Sequence, residues 1–562
     1  MRSYHPLGRV VTLVALVSPL WWSSPLGAAP RPARPIAVTR IEPREPALRA
    51  TGLTDLRAVS EETPPSHIGL DPASYRRLKR WAATSPAAPP PALRLEFRAE
   101  GSEVAHRASG PPLQRSFAGI DLVQPFNFGV EPPDSTVAAN AGRVLEATNA
   151  GIRLTRDDGT NPLSATLQEF FGEPPFPAAF LFDPRVFFDR NALNRRFFLA
   201  VLERDSLARQ SWLHLAVSRS DRPAALDAAS WCRYKIDFRD QRPDPVNPDV
   251  GWADFPQLGV GADALLVATN QWGFTFGSGI AYLRVFHKLI LEDNAAACPG
   301  SPMYSFVPAQ VSGNINDFTL SPVQHYSAPA SFPGHQNPAY VVSNLTFQNT
   351  LYRVWRVSNV ASGNPTLDLA SLHGSFYDLA PDAAQAGSSQ GLDTLVPWIS
   401  QAAGVGNAVW ATHSTVCNVG GGANESCIRV LRFEVGQAAD GSPTATLSQE
   451  LTFGGTSDGV SLWMPGLAVN QAERTLVSFH TSSPASNLSV WYTTKGLLEP
   501  SYASPTSVSD GTCPGLNNGR RNGDYVTAFT DPDFTNFWVA GERSVELLPE
   551  FCEWQTWIAK AR

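Results

Sequence analysis

Five aspartates recur at comparable points along the chain: Asp134, Asp183, Asp254, Asp393 and Asp524 each lie just before or inside a segment read as the first strand of a repeat. Carboxylates brought close together repel one another unless a cation neutralises them, and a ring of oxygen donors suits a hard ion. Asp134, Asp183, Asp254 and Asp524 are therefore the candidate metal ligands, with Ca²⁺ as the candidate ion. The same four are the candidate acid and base of a glycoside hydrolase or lyase, chemistry that needs two carboxyls roughly 5 to 9.5 Å apart in a pocket. The plainer role for each is to close a tight turn by accepting bonds from nearby backbone amides.

Other motifs carry less chemistry. Asp531, Asp533 and Thr535 alternate like the opening of a calcium loop, but the glycine and distal glutamate are missing, so a β-turn is expected. The run 259–264 imitates a dinucleotide fingerprint yet leads into a strand. The stretches 387–391 and 455–459 both satisfy G-x-S-x-G, but Pro397 and Pro465 follow where a nucleophile elbow needs a helix, so polar loops are expected. No catalytic residue is assigned. Trp252, Trp272, Trp398 and Trp463, in or beside loops, are candidates for stacking on sugar, although most tryptophans are expected in the core. His413 and His480 close equivalent strands, which reads as structural repetition rather than metal ligation.

The elements that must position these residues are strands. Hydrophobic residues make up 43% of the 562 and charged residues 17%, with 48 Pro and 42 Gly, a composition of short strands joined by turns. Seven short apolar segments recur, at 144–149, 196–201, 265–270, 339–344, 408–413, 475–480 and 536–541, each ending in a small or polar residue. Most are followed by a segment of alternating character, at 212–217, 281–286, 351–356, 428–433 and 488–492, as expected of strands with one buried face. The expectation is an all-β seven-bladed propeller; tandem β-sandwiches and a six-bladed ring are the alternatives.

The N-terminus has the polarity of a secretory signal: Arg2 and Arg9, an apolar run from Val10 to Leu20, then small residues to Ala29. The expected division is a signal peptide at 1–29, a Pro/Ala/Arg-rich linker or pro-region at 30–115 and a propeller at 116–562. Inside the linker one short helix is expected, with Asp71 as its cap, Pro72 at its first position and Tyr75, Leu78 and Trp81 on one broad face. Without the signal, 42 basic residues face 51 acidic ones. That balance disfavours nucleic acid and anionic membrane as main partners and leaves glycan or extracellular protein. No stable membrane span is expected after cleavage, and the oligomeric state stays open.

Six cysteines in an exported chain read as disulfides. They allow fifteen pairings, of which sequence order favours Cys232 with Cys298, Cys417 with Cys427 and Cys513 with Cys552. No pair has the spacing of a zinc site.

In the last repeat, Gly523-Asp524-Tyr525 is followed by Asp531-Pro532, Phe537-Trp538 and Gly541-Glu542. This resembles a signature of uncharacterised secreted bacterial β-propellers of sialidase-like architecture, with Asn522 and Arg543 departing from the expected Trp and Tyr. The resemblance extends to 183–189 and 252–260. A sialidase would need an arginine cluster and a tyrosine nucleophile; Arg185, Arg353 and Tyr525 are present, and Arg185 is expected to be a structural partner of a carboxylate. The Ser-x-Asp-x-Gly-x-Thr-Trp boxes of sialidases are missing, 157–160 being only a fragment. The expected function is an exported, secreted or periplasmic binding module for a ligand, glycan or protein, with calcium as a candidate stabiliser. A sialidase-like hydrolase or lyase and a purely structural envelope component are the alternatives.

Overall fold

Apolar segments of five to twelve residues have too few backbone partners within themselves, so they pair side by side. In the computed structural model of the chain they form thirty strands, alongside four short helices, among the described residues. The described residues are 33–35, 37–41, 72–84, 93–94 and 112–562, the last range without 123–131, 141, 176–178, 191–194, 240–250, 275–278, 294–297, 314–317, 327–337, 346–348, 419–422, 456–458, 514–520 and 549–550. The expected signal peptide, the expected cap Asp71 and the centre of the 455–459 motif lie outside them. The chain is all-β, with 60% of the described residues in strands. No helix among the described residues is long and apolar enough to cross a membrane.

The strands fall into seven antiparallel four-stranded meanders. Units 1 to 6 run over 136–165, 180–237, 251–306, 320–377, 401–454 and 461–509; unit 7 joins 527–561 to Leu113–Asp121, which pairs with Phe551–Ala561. Each unit's first strand neighbours the first strand of the next, and that of unit 7 neighbours that of unit 1. Short parallel pairings at Val260 with Gln324 and at 323–326 with 402–405 join units 3, 4 and 5 into one larger sheet.

The seven apolar segments of the sequence are the second strands of these units. Ala264–Gly273, Ala408–Cys417 and Thr475–Ser483 are buried almost throughout. Each lies between two strands of its own sheet and is covered on both faces, which selects a continuous apolar run. The alternating segments are the third strands. Period two is clearest in the outermost strands, where Thr366–Tyr377 and Pro443–Gly454 alternate between half-buried and exposed over much of their length.

The segment 30–115 is more than a linker. Ala37–Ile41 adds an edge strand to unit 3, Ala33 bridges to Leu367 in unit 4, and Leu93–Arg94 runs parallel to Phe453–Gly454 in unit 5. Its helix spans Pro72–Thr84. The disulfides follow the favoured order: Cys232–Cys298, Cys417–Cys427 and Cys513–Cys552, with Cα separations of 5.3, 5.8 and 5.6 Å. Such bonds fit an oxidising compartment.

Candidate functional site

At the start of each unit's first strand the backbone kinks. Asp134, Asp183, Phe255, Thr319, Leu395 and Met464 all have φ between 50° and 54°, and Gly523 takes the corresponding place before unit 7. Left-handed backbone is costly for residues with a Cβ, above all for Phe, Leu and Met. Proline follows three of the kinks, at 184, 256 and 465, and the pairing register slips there, which keeps each proline out of the ladder. At Gly523, φ is 125° and an added Cβ would lie 3.0 Å from a Glu542 carboxylate oxygen, so glycine is required.

A side chain spans each junction between units, usually by accepting a backbone N–H. Asp183 N–H donates to Asn149 Oδ1 (2.6 Å), Phe255 N–H to Asp183 Oδ2 (3.1 Å) and Thr319 N–H to Asn270 Oδ1 (3.0 Å). Ile399 N–H donates to Asn344 Oδ1 (3.1 Å) and Met464 N–H to Ser414 Oγ (3.0 Å). Asn522 Nδ2 donates to His480 Nδ1 (2.9 Å), and Ser135 N–H to Glu542 Oε1 (2.8 Å). Asn149, Asn270, Asn344 and His480 are the polar residues that end the apolar segments of the sequence; their place there marks these junctions.

The aspartates meet at these kinks. Asp134 accepts from Asn149 Nδ2 at 2.7 Å and from Asp524 N–H at 2.6 Å, and the Asp183 carboxyl lies near enough to act on it electrostatically. Asp183 also receives the Tyr525 hydroxyl at 3.4 Å. Burial, reinforced by Asp254 and Asp524, pushes Asp183 up to about 7. Burial, with Asp524 and Asp183, pushes Asp134 well above the carboxylate range. These two carboxyls hold protons where free aspartate has none. Asp254 is half-buried and accepts from Trp272 Nε1 at 3.0 Å, while Asp524 pairs with Arg521. Arg185 lies flat on Tyr525, 3.3 Å from the ring centroid, and its Nε donates to the Pro256 carbonyl at 2.8 Å. Arg353 does not join this group; it sits in unit 4.

Asp393 is drawn into a different contact, with the helix Pro72–Thr84. Its inner face is Tyr75, Leu78, Lys79 and Ala82, spaced i, i+3, i+4, i+7. Trp81, six residues from Tyr75, is turned by about 120° and faces outward with 41% of its surface exposed. The Lys79 ammonium, 2% exposed, donates to the Leu395 carbonyl (2.6 Å), Thr394 Oγ1 (2.8 Å) and the Ala380 carbonyl (3.1 Å), and lies 3.3 Å from Asp393. Tyr75 OH donates to Asp393 at 2.9 Å, and Asn424 Nδ2 to the Ala82 carbonyl at 2.9 Å. Burial works to raise Asp393, but Lys79 and Arg521 outweigh it and hold it low. The outer face carries Arg76, Arg77, Arg80 and Trp81, all exposed.

Among the described residues, the carboxylate and imidazole group compact enough to hold a metal is another one: Glu173, Glu203 and His214, with ligand atoms within 4.8 Å of one another. Lys235 already bridges it, 3.1 Å from Glu173 and 2.7 Å from Glu203. Sequence gave no sign of this group, whose members come from separate elements.

The remaining motifs resolve into structure. Trp252, Trp272, Trp398 and Trp463 are 3%, 2%, 3% and 0% exposed, so they are core residues and not a sugar platform. His413 is buried, which pushes it down to about 3. Ser388 accepts from Gln390 N–H in a polar loop. Asp531 and Asp533 close a turn: Asp531 accepts from Asp533 N–H at 2.9 Å and from Trp538 Nε1 at 2.7 Å. The signature of the last repeat thus supplies Asp524 and Glu542 to the junction with unit 1, and Tyr525 to Asp183 and Arg185 of unit 2.

First strands of six units line a small cavity of about 20 Å³, with Thr136, Arg185, Gln257, Gln324, Gln401 and Thr527 among its walls.

No protein-family model and no curated protein matches the chain. Among solved structures, a Dyadobacter fermentans protein of unknown function is 14% identical, with 81% of this chain and 100% of that one covered and a TM-score of 0.31. A Trypanosoma rangeli sialidase in complex with the inhibitor DANA is 10% identical, with 67% of this chain covered and a TM-score of 0.31; the match spans 54% of the sialidase. A family 25 polysaccharide lyase, an ulvan lyase, is 9% identical, with 80% and 82% covered and a TM-score of 0.25. Likeness at this level does not extend to activity.

Proposed function

We propose that the seven units are the blades of an exported β-propeller that works as a binding module for an anionic glycan, held on the outward face of the helix Pro72–Thr84. The ring reading is supported by the succession of neighbouring first strands, by the side-chain links at all seven junctions and by the completion of unit 7 with Leu113–Asp121. The binding reading rests on one observation: Arg76, Arg77, Arg80 and Trp81 stand exposed on a helix whose other face is fixed by Lys79 and Tyr75. Guanidinium groups pair with carboxylate or sulfate in two-point fashion, and an exposed indole stacks on a sugar ring. The surrounding chain is acidic overall, so a basic stripe is a local departure from its charge.

Hydrolysis is the weaker reading. The Asp134 and Asp183 carboxyls are buried and already accept from Asn149, Asp524, Phe255 and Tyr525, whereas a catalytic pair has to face a pocket open to the sugar. We further read Asp134 and Asp183 as kept neutral by protons and Asp524 as paired with Arg521, in place of calcium.

The test is binding of alginate, a polyuronate, with dextran as the neutral control. Alginate is expected to bind in about 0.05 M salt and to weaken strongly by about 0.5 M. The triple variant R76A/R77A/R80A is expected to bind about tenfold or more weakly while melting like the parent, because these side chains face outward. Equal binding by the triple variant, or equal binding of dextran, overturns the reading.

A further inference from the structure

The cavity lined by the first strands holds two buried donors without acceptors. Gln257 is 5% exposed, and its Nε2 is buried with no hydrogen-bond partner. Arg185 bonds Pro256 through Nε, but its Nη2 is also buried without a partner. Both side chains line the same cavity, from the first strands of adjacent units.

The acceptors nearby are already engaged. Gln401 Oε1 receives Leu467 N–H at 3.1 Å, Gln324 Oε1 receives Gln401 Nε2 at 3.3 Å, and Thr136 Oγ1 receives Val186 N–H at 3.2 Å. A wall with surplus N–H groups and a permanently charged guanidinium calls for an electron-rich occupant. Buried donors are otherwise almost always paired.

We propose that this cavity binds a small monovalent anion of the halide class, held by Arg185 Nη2 and Gln257 Nε2. The site rests on the cavity walls alone. It is independent of the glycan reading, since Arg76, Arg77 and Arg80 lie on the helix, so either can fail without the other.

Bromide is the probe, because it replaces chloride and scatters anomalously. Crystals of the full mature chain grown in sodium bromide are expected to give an anomalous peak within hydrogen-bond reach of both nitrogens. In solution, exchanging gluconate, too large for the site, for bromide at constant ionic strength is expected to raise the melting temperature saturably. Gln257→Met keeps the volume and removes the donor, and is expected to weaken bromide about tenfold. A cavity holding water only, with no anomalous signal, overturns the proposal. So does a bromide response that is unchanged in Gln257→Met. If that variant does not fold, the anomalous map of the parent decides alone.

Discussion

Two groups of buried carboxyls in this chain solve the same electrostatic problem in opposite ways. In unit 2, Glu203 lies 2.6 Å from His214 and 2.7 Å from Lys235; burial would raise it, yet these partners outweigh burial and hold it low. At the first-strand kinks, Asp134 and Asp183 are buried among other aspartates, and both are pushed up. The difference lies in where the cations point. Lys235 reaches both glutamates, whereas Arg185 is turned onto the Tyr525 ring and the Pro256 carbonyl. A buried carboxyl keeps its charge when a cation comes within hydrogen-bond distance and keeps a proton when none does.

Asp393 tests that rule most severely, because it sits beside the kinks but has been supplied with a lysine. Lys79→Met would leave it with Tyr75 OH and the Leu395 amide as donors. Removing one partner of a buried pair costs about 3 to 5 kcal/mol. The chain can limit the loss by releasing the helix while the sheets stay folded. Trypsin is therefore expected to cut after Arg76, Arg77 or Arg80 much faster in Lys79→Met than in the parent. An unchanged cleavage rate would mean that Leu78 and Ala82, not the ammonium, hold the helix down.

The second prediction uses the opposite signs of the two groups. Folded Asp183 keeps its proton to about pH 7, while an unfolded aspartate loses it near ~3.9. Between these values the folded chain binds more protons, so this contribution to stability is present in acid and fades as pH rises. Glu203 and His214 are both held low, so their contribution is present at neutral pH and fades as pH falls. Asp183→Asn keeps an acceptor for Phe255 N–H and tolerates the left-handed backbone. Its melting temperature relative to the parent is expected to improve steadily from pH 5 to pH 8. For Glu203→Gln the deficit is expected to shrink as pH drops below the usual glutamate value. Parallel pH trends in the two variants would show that the groups do not differ as described.

The same contrast explains what was readable from sequence. Second strands such as Ala408–Cys417 are enclosed on all sides, so their composition is forced and their sevenfold recurrence is visible. First strands such as Gly251–Val260 and Ser461–Val469 contain the kinks, and a proline inside a strand argues against that assignment in any local reading. The cysteine pairs follow chain order because each bridge joins elements close in sequence. The pairing of Leu113–Asp121 with Phe551–Ala561 has no local signal, since its partners lie at opposite ends of the described region. The helix is legible from Pro72 and its apolar spacing, but Trp81 lies about 60° beyond Leu78 around the axis, which takes it off the buried face. Of the site, the aspartates are legible; that Asp134, Asp183 and Asp524 come together depends on contacts between distant parts of the chain.

The smallest expected effect sharpens the comparison most. If Asp134, Asp183, Asp254 and Asp524 held calcium, their carboxyls would have to be ionised, because a metal displaces the proton from its ligand. Asp134 and Asp183 instead receive Asn149, Asp524, Phe255 and Tyr525 donors on their oxygens. Metal bound only by the folded chain would raise its melting temperature by mass action. Melting the mature chain with EDTA, then with calcium restored, is therefore expected to give curves that coincide at pH 6, where Asp183 is still protonated. A calcium-dependent rise at pH 6 would replace the protons of Asp134 and Asp183 with an ion. A rise appearing only above pH 8 would mean that calcium can enter once the proton has left, making the two carboxyl groups of the comparison alternative states of one chemistry.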